Sequence, residues 1–266
     1  MTKVLDHGYI ELVETWGSDE RIIEAARMST NKGFQGWGGV EPCPECHSLN
    51  LLDPIDKLYR TYEELKVGLN CKTCKGSAKK PGDEKLLRFL WENKHHTPFE
   101  MPGATFEVMA PIMVFREWHR HRTQSYNEMS GRYTALPDLN YIPTVERLMI
   151  NSKTNKQAGT VAGAEELTEE GAAWFRNVID ESYLDQELIY QEALRRGVPK
   201  ELARVHLPVG RYSKMRASAN LRNWIGFLVL RQAPNAQWEI RQYADALCDL
   251  LKEKFPRTMG LYLEKK

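Results

Sequence analysis

No stretch of this 266-residue chain approaches the roughly 20 consecutive apolar residues that a membrane-crossing helix needs, and its opening segment, MTKVLDHGYIELVE, lacks the long apolar core of a secretory signal. Both absences predict a cytoplasmic protein without a membrane partner. Charge of one sign is lacking too: 37 Lys and Arg nearly cancel 36 Asp and Glu, so any contact with a polyanion has to come from local clustering. There is no internal repeat and no low-complexity tract. Cysteine is scarce. Four of the five, Cys43, Cys46, Cys71 and Cys74, form two CxxC pairs, and only Cys248 stands apart. In a cytosolic chain such pairs indicate metal or redox chemistry rather than structural disulfides. What is present is ordinary globular composition, 42% hydrophobic and 27% charged, enough for one substantial core with room for a smaller module.

The order of elements is partly visible. Residues 9 to 14, YIELVE, alternate as a strand does, and Ser18-Asp19-Glu20 offers an N-cap to the helix-like RIIEAARMS. From Gly33 to Gly82 the texture is that of an insertion: two segments rich in Gly, Pro and Cys surround the helix-prone DKLYRTYEEL. EKLLRFLWEN then reads as an amphipathic helix that breaks in His95-His96-Thr97-Pro98-Phe99-Glu100. Ala104, Phe106, Val108 and Ala110 alternate as a strand, and Pro111 suits the start of a helix through IMVFREWHRHR that carries a basic cluster at its end. Residues 151 to 167 read as a loop, and Thr168 as the cap of a helix bearing Phe175, Ile179, Tyr183 and Tyr190. Gly197-Val198-Pro199 ends that helix, a short helix follows in KELARVHLP, and Ile240, Ala244, Leu247, Cys248 and Leu251 share one face of a final helix. The C-terminal half reads as mostly helical.

One stretch concentrates chemistry. Arg120 to Tyr133, RHRTQSYNEMSGRY, holds three arginines, a histidine, a carboxylate and several hydroxyls with almost no apolar content. Arginine supplies a planar fork of donors suited to phosphate oxygens, and Ser130 beside the small Gly131 can bring a hydroxyl and backbone N–H groups to the same anion. Glu128 would repel a phosphate, so it suits ring N–H or sugar hydroxyl groups. Composition alone also fits a solvated basic loop whose charges pair with surface carboxylates.

The order of residues goes further. The stretch resembles the signature of the flavin-dependent thymidylate synthases, RHRxxSxNExSxRY, and all nine specified positions match. HHTPFE at 95 to 100, GVPKELAR at 197 to 204, ANLRN at 219 to 223, LR at 230 to 231 and AQWEIRQYA at 236 to 244 resemble further family segments in family order. The resemblance covers nearly the whole of the domain read over 1 to 266, apart from the insertion. It implies an α+β fold, a mixed sheet covered by helices with a mainly helical C-terminal portion. It also implies a methyltransferase that converts dUMP to dTMP without a cysteine nucleophile. Reduced FAD delivers the hydride, methylenetetrahydrofolate donates the one-carbon unit, NADPH re-reduces the flavin, and the active sites are shared within a homotetramer. For dUMP the resemblance implies Glu117, Arg120, Glu128, Ser130, Gly131, Arg132, Arg204 and Arg231, with Arg231 catalytic because a fixed cation stabilises charge developing on the uracil ring. For FAD it implies His95, Thr97, Arg120, His121, Arg122, Glu128, Asn220 and Arg222. Gly226 and Asn235 depart from the Asn and His that many members carry. Cys248, on the apolar face of its helix, is expected to be inert core filler.

The insertion lies outside the common family pattern. Cys43 and Cys46 are separated from Cys71 and Cys74 by 24 residues, and two residues within each pair let both sulfurs reach one ion at about 2.3 Å. A closed, four-thiolate structural zinc site in a zinc-ribbon-like module over 33 to 82 is the expectation, with redox-active thiols as the alternative. A zinc-ribbon protein whose arginines contact a nucleic-acid backbone is the competing class. Asn127 and Glu128 amid the arginines suit a small structured ligand better, so no nucleic-acid partner is expected.

Overall fold

Residues that alternate between apolar and polar build the sheet. In the structure, a computed structural model that describes residues 1–38, 71–72, 82–150 and 159–264, the chain divides into two compact units. The first comprises Met1–Trp16 and Gly103–Pro256, and the second comprises Gly17–Pro102 and Arg257–Lys266.

The first unit holds a five-stranded sheet: β1 (Thr2–Val4), β2 (Gly8–Trp16), β3 (Gly103–Pro111), β4 (Ser125–Glu128) and β5 (Tyr212–Asn220), in the order β1-β2-β3-β5-β4. Phe106, Val108 and Ala110 of β3 and Met215 and Ala217 of β5 turn inward, while Glu107, Lys214 and Arg216 turn outward, as a period of two requires. A register shift between Leu12 and Glu14 places a bulge in β2. Every pairing is antiparallel, which corrects the mixed sheet expected from the sequence. The reason lies in how β3, the helix after it and β4 are placed. β3 and β4 do run in the same direction, but β5 inserts between them and opposes both. β5 is an addition to the sequence reading, which took the C-terminal half as mostly helical and placed no strand there.

Helices α3 (Ile112–Trp118), α7 (Leu221–Arg231) and α8 (Trp238–Lys254) cover the inner face. Trp118, Trp224, Phe227 and Tyr243 are fully buried there. The Trp118 and Phe227 ring centroids lie 4.5 Å apart, and the Trp224 indole donates to Ala104 O at 2.9 Å, so α7 is tied to β3 by packing and by a buried hydrogen bond. Ile240, Ala244, Leu247, Cys248 and Leu251 are buried along α8, as their spacing predicts. Two short helices, α4 (Val145–Met149) and α6 (Lys200–Ala203), flank the 27-residue α5 (Glu169–Arg195). Thr168 caps α5 by accepting from Gly171 N–H. At its other end Gly197 takes φ +83°, and the Gly197 and Val198 N–H groups bond back to Leu194 and Ala193, which closes the helix at the predicted glycine. Only Ala172 and Tyr190 of α5 are buried.

The second unit contains α1 (Asp19–Arg27), α2 (Glu84–Glu92), the 3-10 turn Thr97–Glu100 and most of α9 (Pro256–Leu263). Ile22, Ile23, Leu87, Leu90, Phe99 and, from α9, Met259, Leu261 and Tyr262 are among its buried apolar residues. Buried Asp19 accepts from the N–H groups of Arg257 and Thr258 and from the Thr258 hydroxyl, capping α9 across the fold. No described helix is long and apolar enough to cross a membrane. Residues 39–70 and 73–81, which make up most of the expected 33–82 module, lie outside the described residues, as do 151–158 of the expected loop.

Candidate functional site

The signature, with Glu117 just ahead of it, runs from the end of α3 through a turn and β4 into a second turn of the first unit. Glu117 sits in the last turn of α3, which stops at Trp118, short of the basic cluster. Arg120, His121 and Arg122 therefore occupy a turn between α3 and β4. That turn is held from beneath: the Tyr126 hydroxyl donates to His121 O at 2.6 Å, the Trp118 indole donates to Gln124 Oε1 at 3.0 Å, and Asn223 Nδ2 donates to Thr123 O at 3.1 Å. Arg120 and Arg122 are exposed and pair with no other described residue. Two exposed cations without counter-charges among the described residues are free to meet an anion.

Arg231, the last residue of α7, reaches into this turn with every guanidinium nitrogen engaged. Nη1 donates to Glu117 Oε2 at 2.8 Å, Nη2 to Glu117 O at 2.7 Å, and Nε to His121 Nε2 at 2.8 Å. The Arg231 side chain is 14% exposed. Burial, followed by the charge of Arg231, pushes the His121 imidazole down to about 4. It is therefore neutral near pH 7, with the unprotonated Nε2 accepting and the proton on Nδ1. Phe227 packs beside its ring at 4.8 Å.

β4 leads into the second part of the signature. Met129 N–H bonds to Lys214 O at 2.7 Å, after which the chain turns, with the Tyr133 and Thr134 N–H groups both directed at Ser130 O. Ser130 Oγ accepts from Arg132 N–H at 3.3 Å. Gly131 allows a close approach here: a Cβ would come within 2.9 Å of Arg204 Cδ and 3.2 Å of Arg204 Nη1, so the Arg204 side chain would have to shift. The glycine thus brings Arg204, at the end of α6, against the Ser130–Arg132 backbone. Arg204 is half-buried and has no ion-pair partner among the described residues. Arg132 pairs with Glu201 at 3.1 Å, but both side chains are more than half exposed, so the pair is weak and exchangeable.

Glu128, with Asn127 and Met129, lines an open cleft of about 250 Å³ completed by Glu107, Lys214, Met215 and Arg216. Glu107 accepts from Tyr9 at 2.8 Å and pairs with Arg216 at 3.2 Å. Asn220 ends β5 and caps α7, its Oδ1 accepting from Asn223 N–H at 2.9 Å, so its Nδ2 remains as a donor. Arg222, in the first turn of α7, is exposed. Gly226 faces open space on the same helix. The structure thus groups Arg231 with Glu117 and His121, and Arg204 with Ser130, Gly131 and Arg132.

His95 and Thr97 belong to the second unit, both exposed, with Thr97 opening the 3-10 turn and the His95 ring 5.6 Å from Phe89. Of the expected zinc ligands only Cys71 lies within the described residues, where it is half-buried; Cys43, Cys46 and Cys74 lie outside them. Among the described residues, no group of three or more His, Cys, Asp and Glu is placed to hold a metal ion.

Sequence reasoning missed Arg211. It is fully buried, donates to Leu136 O at 3.2 Å, and pairs with Asp138 at 3.2 Å and Glu187 at 2.7 Å. It anchors the chain that leaves the Ser130 turn to α5. A lone arginine ahead of a strand carries no sequence signal for this, because both carboxylates are distant in the chain.

Residues 11–257 match the family described as thymidylate synthase complementing protein. The chain belongs to that family. It is 36% identical over 261 residues to a flavin-dependent thymidylate synthase of Thermus thermophilus, spanning 98% of this chain and 77% of that protein. A flavin-dependent thymidylate synthase of Thermosipho africanus is 34% identical, over 98% of this chain and 93% of its own length. Among solved structures, the UMP/dUMP methylase PolB of Streptomyces cacaoi bound with 5-Br UMP aligns with a TM-score of 0.69 at 25% identity, covering 98% of this chain and 96% of that one. The same methylase has also been solved with 5-Br dUMP. The thymidylate synthase complementing family is one of enzymes, and the clustered arginines lie on the segments that carry its signature.

Proposed function

We propose that this chain is a FAD-dependent thymidylate synthase that methylates dUMP to dTMP. The observation that carries the proposal is that two arginines from outside the signature meet its two ends: Arg231, held by three hydrogen bonds at Glu117 and His121, and Arg204, without an ion-pair partner among the described residues and set against the Gly131 turn. Arg204, Arg132, Ser130 and Gly131 bind the phosphate of dUMP with Arg120, where donors outnumber carboxylates. Glu128 orients the sugar or ring, Glu117 borders the ring, and Arg231 stabilises the uracil as it becomes anionic. The halogenated uridylates held by the structural relative support a ligand of this kind.

The FAD set is Arg120, His121, Arg122, Glu128, Asn220 and Arg222, with His95 and Thr97. Arg120 and Arg122 are exposed and unpaired among the described residues, and Asn220 keeps an amide donor, so these donors fit a pyrophosphate and a ring edge. When bound, the reduced flavin supplies the hydride, with methylenetetrahydrofolate as one-carbon donor and NADPH as reductant. Cys248, 3% exposed within the core, supports a route without a thiolate nucleophile. Exposed Trp174, Leu184, Leu188 and Ile189 on α5, with Val229 and Leu230 near Arg231, support a homotetramer. The paired CxxC cysteines are assigned to one structural zinc.

The test is conversion of dUMP to dTMP by the purified chain with FAD, NADPH and methylenetetrahydrofolate, omitting one component at a time. Turnover that requires all of them is expected. A preparation that binds FAD yet makes no dTMP would overturn the proposal.

A further inference from the structure

We propose that His121 is a positioning residue, whose unprotonated Nε2 locks the Arg231 guanidinium in the orientation that meets the uracil ring. The inference rests on the assignment of Arg231 made above, and it gives His121 a task in addition to flavin contact. Glu117 holds Nη1 and Nη2 through its carboxylate and its own backbone oxygen, but both contacts come from one residue at the end of a short helix. Two anchors on one residue leave the guanidinium free to swing about Glu117. The bond from Nε to His121, at 2.8 Å, comes from the following turn and removes that freedom. With one N–H committed on each nitrogen, about two of the five guanidinium N–H groups stay available to a ligand.

A neutral imidazole suits this position better than a carboxylate. Glu117 already balances the charge of Arg231, and a second anion would leave the group net negative toward a uracil ring acquiring negative charge. His121 is surrounded on every side. Arg231 and Phe227 face it from α7, Glu117 approaches from α3, and Tyr126 of β4 holds its backbone oxygen; Arg120 and Arg122 flank it in its own turn. Burial and Arg231 together hold the imidazole down to about 4, so it accepts throughout the neutral range. Protonation as pH falls toward that value would remove the acceptor and set cation against cation.

Two measurements on the full chain test the proposal. The first is nitrogen-15 NMR of the histidine ring nitrogens. His121 is expected as the Nδ1–H tautomer with a midpoint near about 4, rising when Arg231→Met removes the cation. An Nε2–H tautomer, or a midpoint that Arg231→Met leaves unmoved, would overturn the lock. The second compares His121→Gln, whose Oε1 can replace the Nε2 acceptor, with His121→Leu, which has none. Misplacing a catalytic group costs about a hundredfold, so His121→Leu should lose about that much kcat with the KM for dUMP little changed, while His121→Gln stays within about tenfold of the parent. Equal kcat for the two variants, or flavin lost from both, would overturn the positioning role. A parent chain that makes no dTMP refutes the proposed function instead, and the ring-nitrogen measurement still decides the Arg231 contact.

Discussion

Arg231 and Arg204 are both arginines of one proposed site, yet their surroundings are opposite. Arg231 has its guanidinium engaged on three nitrogens by Glu117 and His121 before any ligand arrives. Arg204 lies against a glycine turn with no counter-ion among the described residues. The first arrangement fixes direction, because a group that stabilises a transient charge works best when nothing has to reorganise at that moment. The second leaves charge available, which suits binding a phosphate already carrying its charge in the ground state. The proposed function thus assigns catalysis and affinity to two differently held arginines.

That contrast can be broken in four ways, ordered from the largest effect. Arg211→Met removes the buried cation beneath the Ser130 turn and leaves Glu187 uncompensated, so denaturant unfolding should show a loss of about 3 to 5 kcal/mol. Arg231→Ala removes the fixed cation, and kcat should fall about 10²- to 10³-fold, or about 2.7 to 4 kcal/mol, with FAD retained. Arg204→Ala removes a charged phosphate donor, and equilibrium titration should show dUMP binding about 10- to 100-fold weaker. Gly226→Ala fills open space on α7 and should raise stability by up to about 1 kcal/mol in the same unfolding experiment.

The acid dependence of folding follows from His121, whose folded value near about 4 lies below its ordinary value. The unfolded chain takes up this proton first. The contribution of the neutral imidazole is therefore complete above about pH 6.5 and declines as pH falls toward the folded value.

Much of this was legible in the sequence. β2 and β3 announced themselves because Ile10, Phe106, Val108 and Ala110 alternate with polar residues, and the α5 cap at Thr168 and stop at Gly197 follow from local chemistry. β5 was hidden because its inward positions include Ala217 and Ala219 and its outward ones Lys214, Arg216 and Ser218, none of which favours a strand. It is held by two neighbours, β3 and β4, that lie far away in sequence. The helical spacing of Phe175 and Ile179 identified α5 but not its burial, since periodicity marks an apolar face without saying what covers it. For the site, the signature pointed to the Arg120–Tyr133 segment, while the Arg231–His121 bond was illegible because 110 positions separate its partners.

The most direct test of the account is a paired steady-state measurement of dUMP methylation by Arg231→Ala and Arg204→Ala. The account predicts that Arg231→Ala loses mainly kcat and Arg204→Ala mainly raises KM. Equal effects of the two variants on the same parameter would contradict it.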